Sequence, residues 1–234
     1  MLKVYIVGAG PGDKELITVK GLKLIKEADV IVYDDLIDKD ILKEAKDGAE
    51  LIYVGKRKGK HSFKQDEINK ILVEKAKEGK KVVRLKGGDP FIFGRGGEEI
   101  LELIKNNVPY EVVPGVTSAI AVPASVGIPL THRGIAKSVT ITTGHEREGE
   151  NKIDYSKFVA DTLVILMGIT NLEKIVKDLV KSRGKEEPIA IILKGFSKDQ
   201  KVIKGTLEDI LEKAKDIEPP GIIVVGKVVN ILER

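Results

Sequence analysis

The chain has no cysteine, no tryptophan and only three histidines among its 234 residues. Without cysteine there can be no disulfide, thiolate metal site or cysteine nucleophile. Three histidines leave little to build a metal centre from, so none is expected. Aromatic residues amount to 4%, too few for the stacking platforms that hold single-stranded nucleic acid. Charge of one sign is also scarce: 40 basic against 36 acidic residues give +4, interspersed along amphipathic stretches. A small anionic ligand fits that balance better than a polyanion. No apolar run approaches the roughly 18 residues of a membrane span. Met1-Leu2-Lys3 leads straight into a strand-like run with no signal-peptide pattern, so a cytoplasmic protein without membrane association is expected.

What is present is ample core, with 42% hydrophobic residues and 32% charged. The length suits one large α/β domain or two of about 110 residues each. Glycine is plentiful and clustered. The densest cluster is Lys86-Gly87-Gly88-Asp89-Pro90-Phe91-Ile92-Phe93-Gly94-Arg95-Gly96-Gly97-Glu98-Glu99. The apolar run Val82-Val83-Arg84-Leu85 enters it and an amphipathic stretch at 100–104 leaves it, predicting strand, loop and helix. A plain turn needs two or three glycine, proline or aspartate residues. Five glycines with two phenylalanines and an arginine indicate a loop that lets a ligand approach bare backbone. Asp89 adds an acceptor, and Arg95 and Glu98 add opposite charges one helical turn apart.

Up to residue 113, strands and helices alternate. Strands are predicted at 4–7, 30–33, 51–54, 82–85 and 110–113, with helices through Leu16, Val19, Leu22 and Ile25 and through Ile68, Ile71, Leu72 and Ala76. That alternation predicts a mainly parallel sheet in an N-terminal domain spanning 1–113. Gly8-Ala9-Gly10-Pro11-Gly12-Asp13 after the first strand invites a dinucleotide-binding reading. Pro11 and Asp13 argue against it, because an acid there repels a pyrophosphate and suits a cationic or neutral ligand. Lys56 and Arg57 sit at a strand end, where a cleft is expected. Beyond 113 the strands come closer together, at 138–143, 162–167, 189–193, 201–204, 222–225 and 228–232. Two helices are predicted among them, at 172–180 and 207–214, the second capped by Thr206 with Asp209. A mixed, partly antiparallel α/β domain at 114–234 follows. Its candidate loops are Gly127-Ile128-Pro129-Leu130-Thr131-His132-Arg133 and Thr142-Thr143-Gly144-His145, with Met167-Gly168 closing an apolar strand.

Taken together, these motifs resemble the tetrapyrrole methylase family, and within it the branch that methylates uroporphyrinogen III. The matching pieces are Val7-Gly8-Ala9-Gly10-Pro11-Gly12-Asp13, Val54-Gly55-Lys56-Arg57, Gln65 with Glu67-Ile68-Asn69, and residues 84–99. They continue with residues 112–119 and 127–133, Thr143-Gly144-His145, Leu166-Met167-Gly168 and residues 220–226. They run in family order over nearly the whole chain.

The resemblance implies two α/β domains with a ligand cleft between them, a homodimer, and S-adenosylmethionine as methyl donor. It implies methylation of uroporphyrinogen III at C2 and C7, through precorrin-1 to precorrin-2, with S-adenosylhomocysteine released. Carried over by motif, cofactor contacts are Pro11, Gly87, Gly88, Asp89, Ile92, Thr117, Ser118, Met167, Ala190 and Gly221. Substrate contacts are Lys56, Arg57, Arg95, Glu98, Arg133, His145 and Met167, and catalysis falls to Asp13, Arg95 and Glu98. One position departs from the family. Relatives carry Arg or Lys where this chain has Asp35 after Tyr33-Asp34, so Asp35 either faces away or is replaced by Lys56 or Arg57. The alternatives are another corrinoid methyltransferase, acting at C20 of precorrin-2, and a nicotinamide-dependent oxidoreductase.

Overall fold

A computed structural model describes residues 3–55, 64–145 and 152–232. The chain divides into two compact units, Met1–Ser118 and Ala119–Arg234. That division falls five residues beyond the 113/114 boundary read from strand spacing. The cause is local: the Gly115 N–H donates to Asp89 Oδ2 at 3.0 Å, which keeps the segment after the fifth strand with the first unit.

The first unit is a five-stranded sheet: β1 (Val4–Gly8), β2 (Val30–Tyr33), β3 (Glu50–Tyr53), β4 (Val82–Lys86) and β5 (Tyr110–Val113). Its order is β3-β2-β4-β1-β5, and every pairing is parallel. β4 and most of β1 and β2 are buried, as strands covered on both faces must be. One layer packs α2 (Gln65–Lys77) and α3 (Gly96–Lys105) through Ile68, Leu72, Ile100 and Leu103. The opposite layer packs α1 (Val19–Glu27) through Leu24 and Ile25. The helix starts follow the sequence. Thr18 Oγ1 accepts from Gly21 N at 3.1 Å to cap α1, and Glu67 Oε2 accepts from Lys64 N at 2.6 Å before α2.

The second unit has β6 (Val139–Thr143), β7 (Thr162–Leu166), β8 (Pro188–Leu193), β9 (Lys201–Thr206) and β10 (Gly221–Val225) in the order β6-β7-β10-β8-β9. β6 and β7 are parallel and the remaining pairs antiparallel, so the sheet is mixed. α5 (Leu172–Arg183) and the short α6 (Ile210–Lys213) cover one face. α4 (Ser118–Ser125), which begins on the last residue of the first unit, covers the other through Ala119 and Val122.

Two sequence expectations are corrected, and one helix had not been predicted. The strand expected at 228–232 is instead a 3-10 turn, Lys227–Asn230, because Gly226 at φ 139° breaks the run after β10. α4 falls in a stretch for which no element was predicted. The helix expected at 207–214 is reduced to Ile210–Lys213, although Asp209 Oδ1 does accept from Thr206 N at 2.9 Å, half of the expected box. Among the described residues no helix is long and apolar enough to cross a membrane.

Candidate active site

In a parallel sheet, ligands collect beyond the carboxyl ends of the strands. Here the neighbours β4, β1 and β5 end in glycine loops at Gly87, Gly8 and Pro114, so three loops meet at one end of the first unit. The contact between them is backbone on backbone. A Cβ built on Gly8 would lie 2.6 Å from Gly115 Cα, Gly115 N and Gly88 O, closer than real side chains come. Gly10 and Gly88 exchange two hydrogen bonds, N to O at 3.3 and 2.6 Å, which fastens the Pro11–Asp13 loop to the central loop. Asp89 completes the assembly: Oδ1 accepts from Phe91 N at 2.8 Å and Oδ2 from Gly115 N at 3.0 Å. The loop carrying Gly87, Gly88 and Asp89 is thereby brought beside the segment carrying Gly115, Thr117 and Ser118. A Cβ on Gly88 would come into ordinary contact with Ser118 N and Thr117 Cα, at 3.8 and 3.9 Å, so this backbone lies against the start of α4 without crowding.

Beyond Asp89 the loop is strained and apolar outward. Phe93 and Arg95 adopt left-handed backbones at φ 53° and 58°, costly for residues with bulky side chains. Phe91, Ile92 and Phe93 are all exposed, Phe91 at 57%. Such a row on a strained loop suits contact with a flat apolar partner, and of the three only Ile92 was given a ligand contact from sequence. Arg95 ends the loop as the N-cap residue of α3 and holds Glu98 in a fork, Nε to Oε1 at 2.8 Å and Nη2 to Oε2 at 2.6 Å. The hydrogen bonds that Arg95 donates to Glu98 raise the Arg95 pKa above its already high ordinary value.

Asp13 has a structural task too. Its Oδ1 accepts from Glu15 N at 2.9 Å and caps a short 3-10 turn, Lys14–Leu16. A carboxylate retains further lone pairs, so this cap leaves acceptor capacity. Asp35, the departure from the family pattern, accepts from the Tyr53 hydroxyl and lies 3.9 Å from Lys39 Nζ. Lys56 and Arg57 lie outside the described residues.

The second unit gathers its own candidates at the ends of β6, β7 and β10. Gly144 N donates to Leu166 O at 2.6 Å, and a Cβ on Gly144 would stand 2.8 Å from Gly168 N. Asn171 Nδ2 donates to Gly144 O at 2.6 Å, which sets the His145 turn against Met167-Gly168. Met167 is 49% exposed with φ 56°, not packed in the core as a methionine ordinarily is. Gly221 opens β10 beside them: a Cβ there would meet Ile169 Cδ1 at 2.9 Å. Arg133 is exposed in a tight turn closed by reciprocal His132 and Ala136 backbone bonds of 3.0 and 2.9 Å. Ala190 is fully buried in the middle of β8, paired with Val224 and Lys204.

The first unit thus offers glycine backbone in close contact between loops, an exposed apolar row at Phe91, Ile92 and Phe93, and the Asp89 carboxylate joining two loops. Among the described residues no group of three or more His, Asp or Glu could hold a metal ion.

Residues 3–211 match the family model of Tetrapyrrole (Corrin/Porphyrin) Methylases. The chain is 70% identical to a uroporphyrinogen-III C-methyltransferase of Methanocaldococcus jannaschii, covering 99% of this chain and 98% of that one. Among solved structures it resembles the uroporphyrin-III C-methyl transferase of Thermus thermophilus complexed with S-adenyl homocysteine, at TM-score 0.85 and 42% identity, covering 98% and 100% of the two chains. A cobalt precorrin-4 methyltransferase of cobalamin biosynthesis follows at TM-score 0.86 and 31% identity, covering 97% and 95%.

Proposed function

The chain belongs to the tetrapyrrole (corrin/porphyrin) methylases, and on that premise we propose that it transfers methyl groups from S-adenosylmethionine to carbon atoms of uroporphyrinogen III. The observation that carries this reading is 70% identity over nearly the full length of a uroporphyrinogen-III C-methyltransferase. Membership in this family removes the nicotinamide-dependent alternative, in line with the objection raised by Pro11 and Asp13. The finer course is methylation at C2 and then C7, giving precorrin-2 by way of precorrin-1. The protein acts in the cytoplasm as a homodimer.

In the first unit Pro11, Gly87, Gly88, Asp89, Ile92, Thr117 and Ser118 would hold the cofactor, and the family motifs also assign it Met167 and Gly221. Bound there, it supplies an electrophilic methyl group on a sulfonium. Displacement at that carbon needs the attacking pyrrole carbon, methyl and sulfur in line, so positioning carries much of the rate. Arg95 and Arg133 bind carboxylates of the acidic substrate, aided by Lys56, Arg57 and His145. Fork geometry at Arg95 fixes orientation as well as charge. As the new carbon–carbon bond forms, positive charge spreads over the macrocycle, and Asp13 and Glu98 offset it. A ring proton then leaves, and Asp13 can accept it.

A reaction with methyl-13C-labelled S-adenosylmethionine, followed by NMR of the product, tests the reading. Label at C2 and C7 is the expected result. Label at C20 would move the activity to a later corrinoid intermediate.

A further inference from the structure

Behind the exposed loop lies a buried set of charges with no assigned role. Arg84 and Lys86 are alternate residues of β4, so both side chains leave the same face of the sheet. They are 3% and 4% exposed, and both point at Glu99, which is fully buried in the first turns of α3. Arg84 Nε donates to Glu99 Oε1 at 3.0 Å and Lys86 Nζ donates to the same oxygen at 2.8 Å. Gln65 Nε2 on α2 reaches it at 3.4 Å. The other arm of Arg84 is tied down by Asp34 Oδ2 at 3.2 Å, Leu85 O at 3.1 Å and Val32 O at 3.3 Å. Among the described residues Glu99 Oε2 is buried with no hydrogen-bond partner.

Burying three or four ions costs more than a packed apolar cluster of the same volume, so stability alone is a weak reason to keep them. Their position supplies a better one. Lys86 is the last residue before the central loop, and Glu99 follows directly on Glu98, one turn after Arg95. The Lys86–Glu99 pair therefore closes the loop across its two ends. We propose that Glu99, held by Arg84 and Lys86, is a positioning residue that sets the span of the 87–98 loop and hence the placement of Arg95 and Glu98 on the substrate. This inference rests on the methyltransferase reading above for its catalytic consequence, though not for the clamp itself. Burial lowers the Lys86 pKa, with Arg84 repulsion adding to it and Glu99 opposing. The groups facing Lys86 are Arg84 on its own strand, Glu99 on α3 and Asp34 after β2.

Two variants separate positioning from simple structural need. Glu99→Gln keeps the shape but leaves two buried cations with Asp34 as their only anion. Lys86→Met with Glu99→Gln removes one charge of each sign and restores balance without restoring the tie. Three quantities are read: the thermal midpoint, turnover with uroporphyrinogen III, and hydrogen exchange of the 87–97 amides without substrate. The single variant is expected to melt several degrees lower. The double variant is expected to recover the wild-type midpoint within about 2 °C, yet turn over at least tenfold more slowly and exchange its loop amides at least tenfold faster. Turnover and loop protection that recover together with the midpoint would overturn the proposal. A wild-type protein that fails to methylate would overturn the functional reading instead, while loop exchange would still decide the clamp.

Discussion

Arg95→Lys is expected to lower kcat by about 100- to 1000-fold while S-adenosylhomocysteine affinity stays within about threefold. The guanidinium makes two parallel bonds to Glu98, at 2.8 and 2.6 Å, and an ammonium cannot reproduce a planar fork. Lysine and arginine meet the same backbone cost at φ 58°, so the substitution tests the fork and not the loop. The expected loss corresponds to about 3 to 4 kcal/mol of transition-state stabilisation, at 1.36 kcal/mol per tenfold. Steady-state kinetics with equilibrium binding of S-adenosylhomocysteine provides the check. Near-normal turnover would remove Arg95 from the proposed catalytic set.

Gly8→Ala should have the opposite signature, in which cofactor binding fails first. The new methyl would stand 2.6 Å from backbone atoms of both Gly88 and Gly115, and backbone cannot swing aside as a side chain can. Overpacking of this kind costs about 1 to 3 kcal/mol. The strain is relieved by parting the two loops proposed to hold the cofactor. A fall of about 5 °C or more in thermal midpoint and at least tenfold weaker S-adenosylhomocysteine binding are expected, read by calorimetry. Unchanged affinity in a stably folded variant would show that the glycine contact does not form the cofactor site.

Much of the fold was legible because short apolar runs such as Val30-Ile31-Val32-Tyr33 and Val82-Val83-Arg84-Leu85, rich in β-branched residues and bounded by turn residues, alternate with helical periodicities. α4 was not legible. Ala119-Ile120-Ala121-Val122-Pro123 has no polar face to show a helical period, and Pro123 reads as a breaker. The run at 228–232 failed for a related reason, since a short apolar stretch does not distinguish strand from helical turn. At the site, the glycine loops were readable because tight spacing of glycines has few other causes. Arg84 and Lys86 were not, because alternation with Val83 and Leu85 is what a half-solvated strand also shows. Only the fold places Glu99 under them. Asp13 stood out for its charge, while its capping bond to Glu15 N depends on local geometry that sequence does not display. Met167 stood out only through its family motif, and its left-handed, half-exposed backbone supplies a physical reason for attention.

On the proposed reading, this protein moves methyl groups from S-adenosylmethionine onto a tetrapyrrole. An anaerobic incubation with uroporphyrinogen III, followed by mass spectrometry of the oxidised product, tests it most directly. A gain of two methyl groups with two equivalents of S-adenosylhomocysteine is the predicted result. An unchanged tetrapyrrole mass, under conditions where S-adenosylhomocysteine binds, would contradict it.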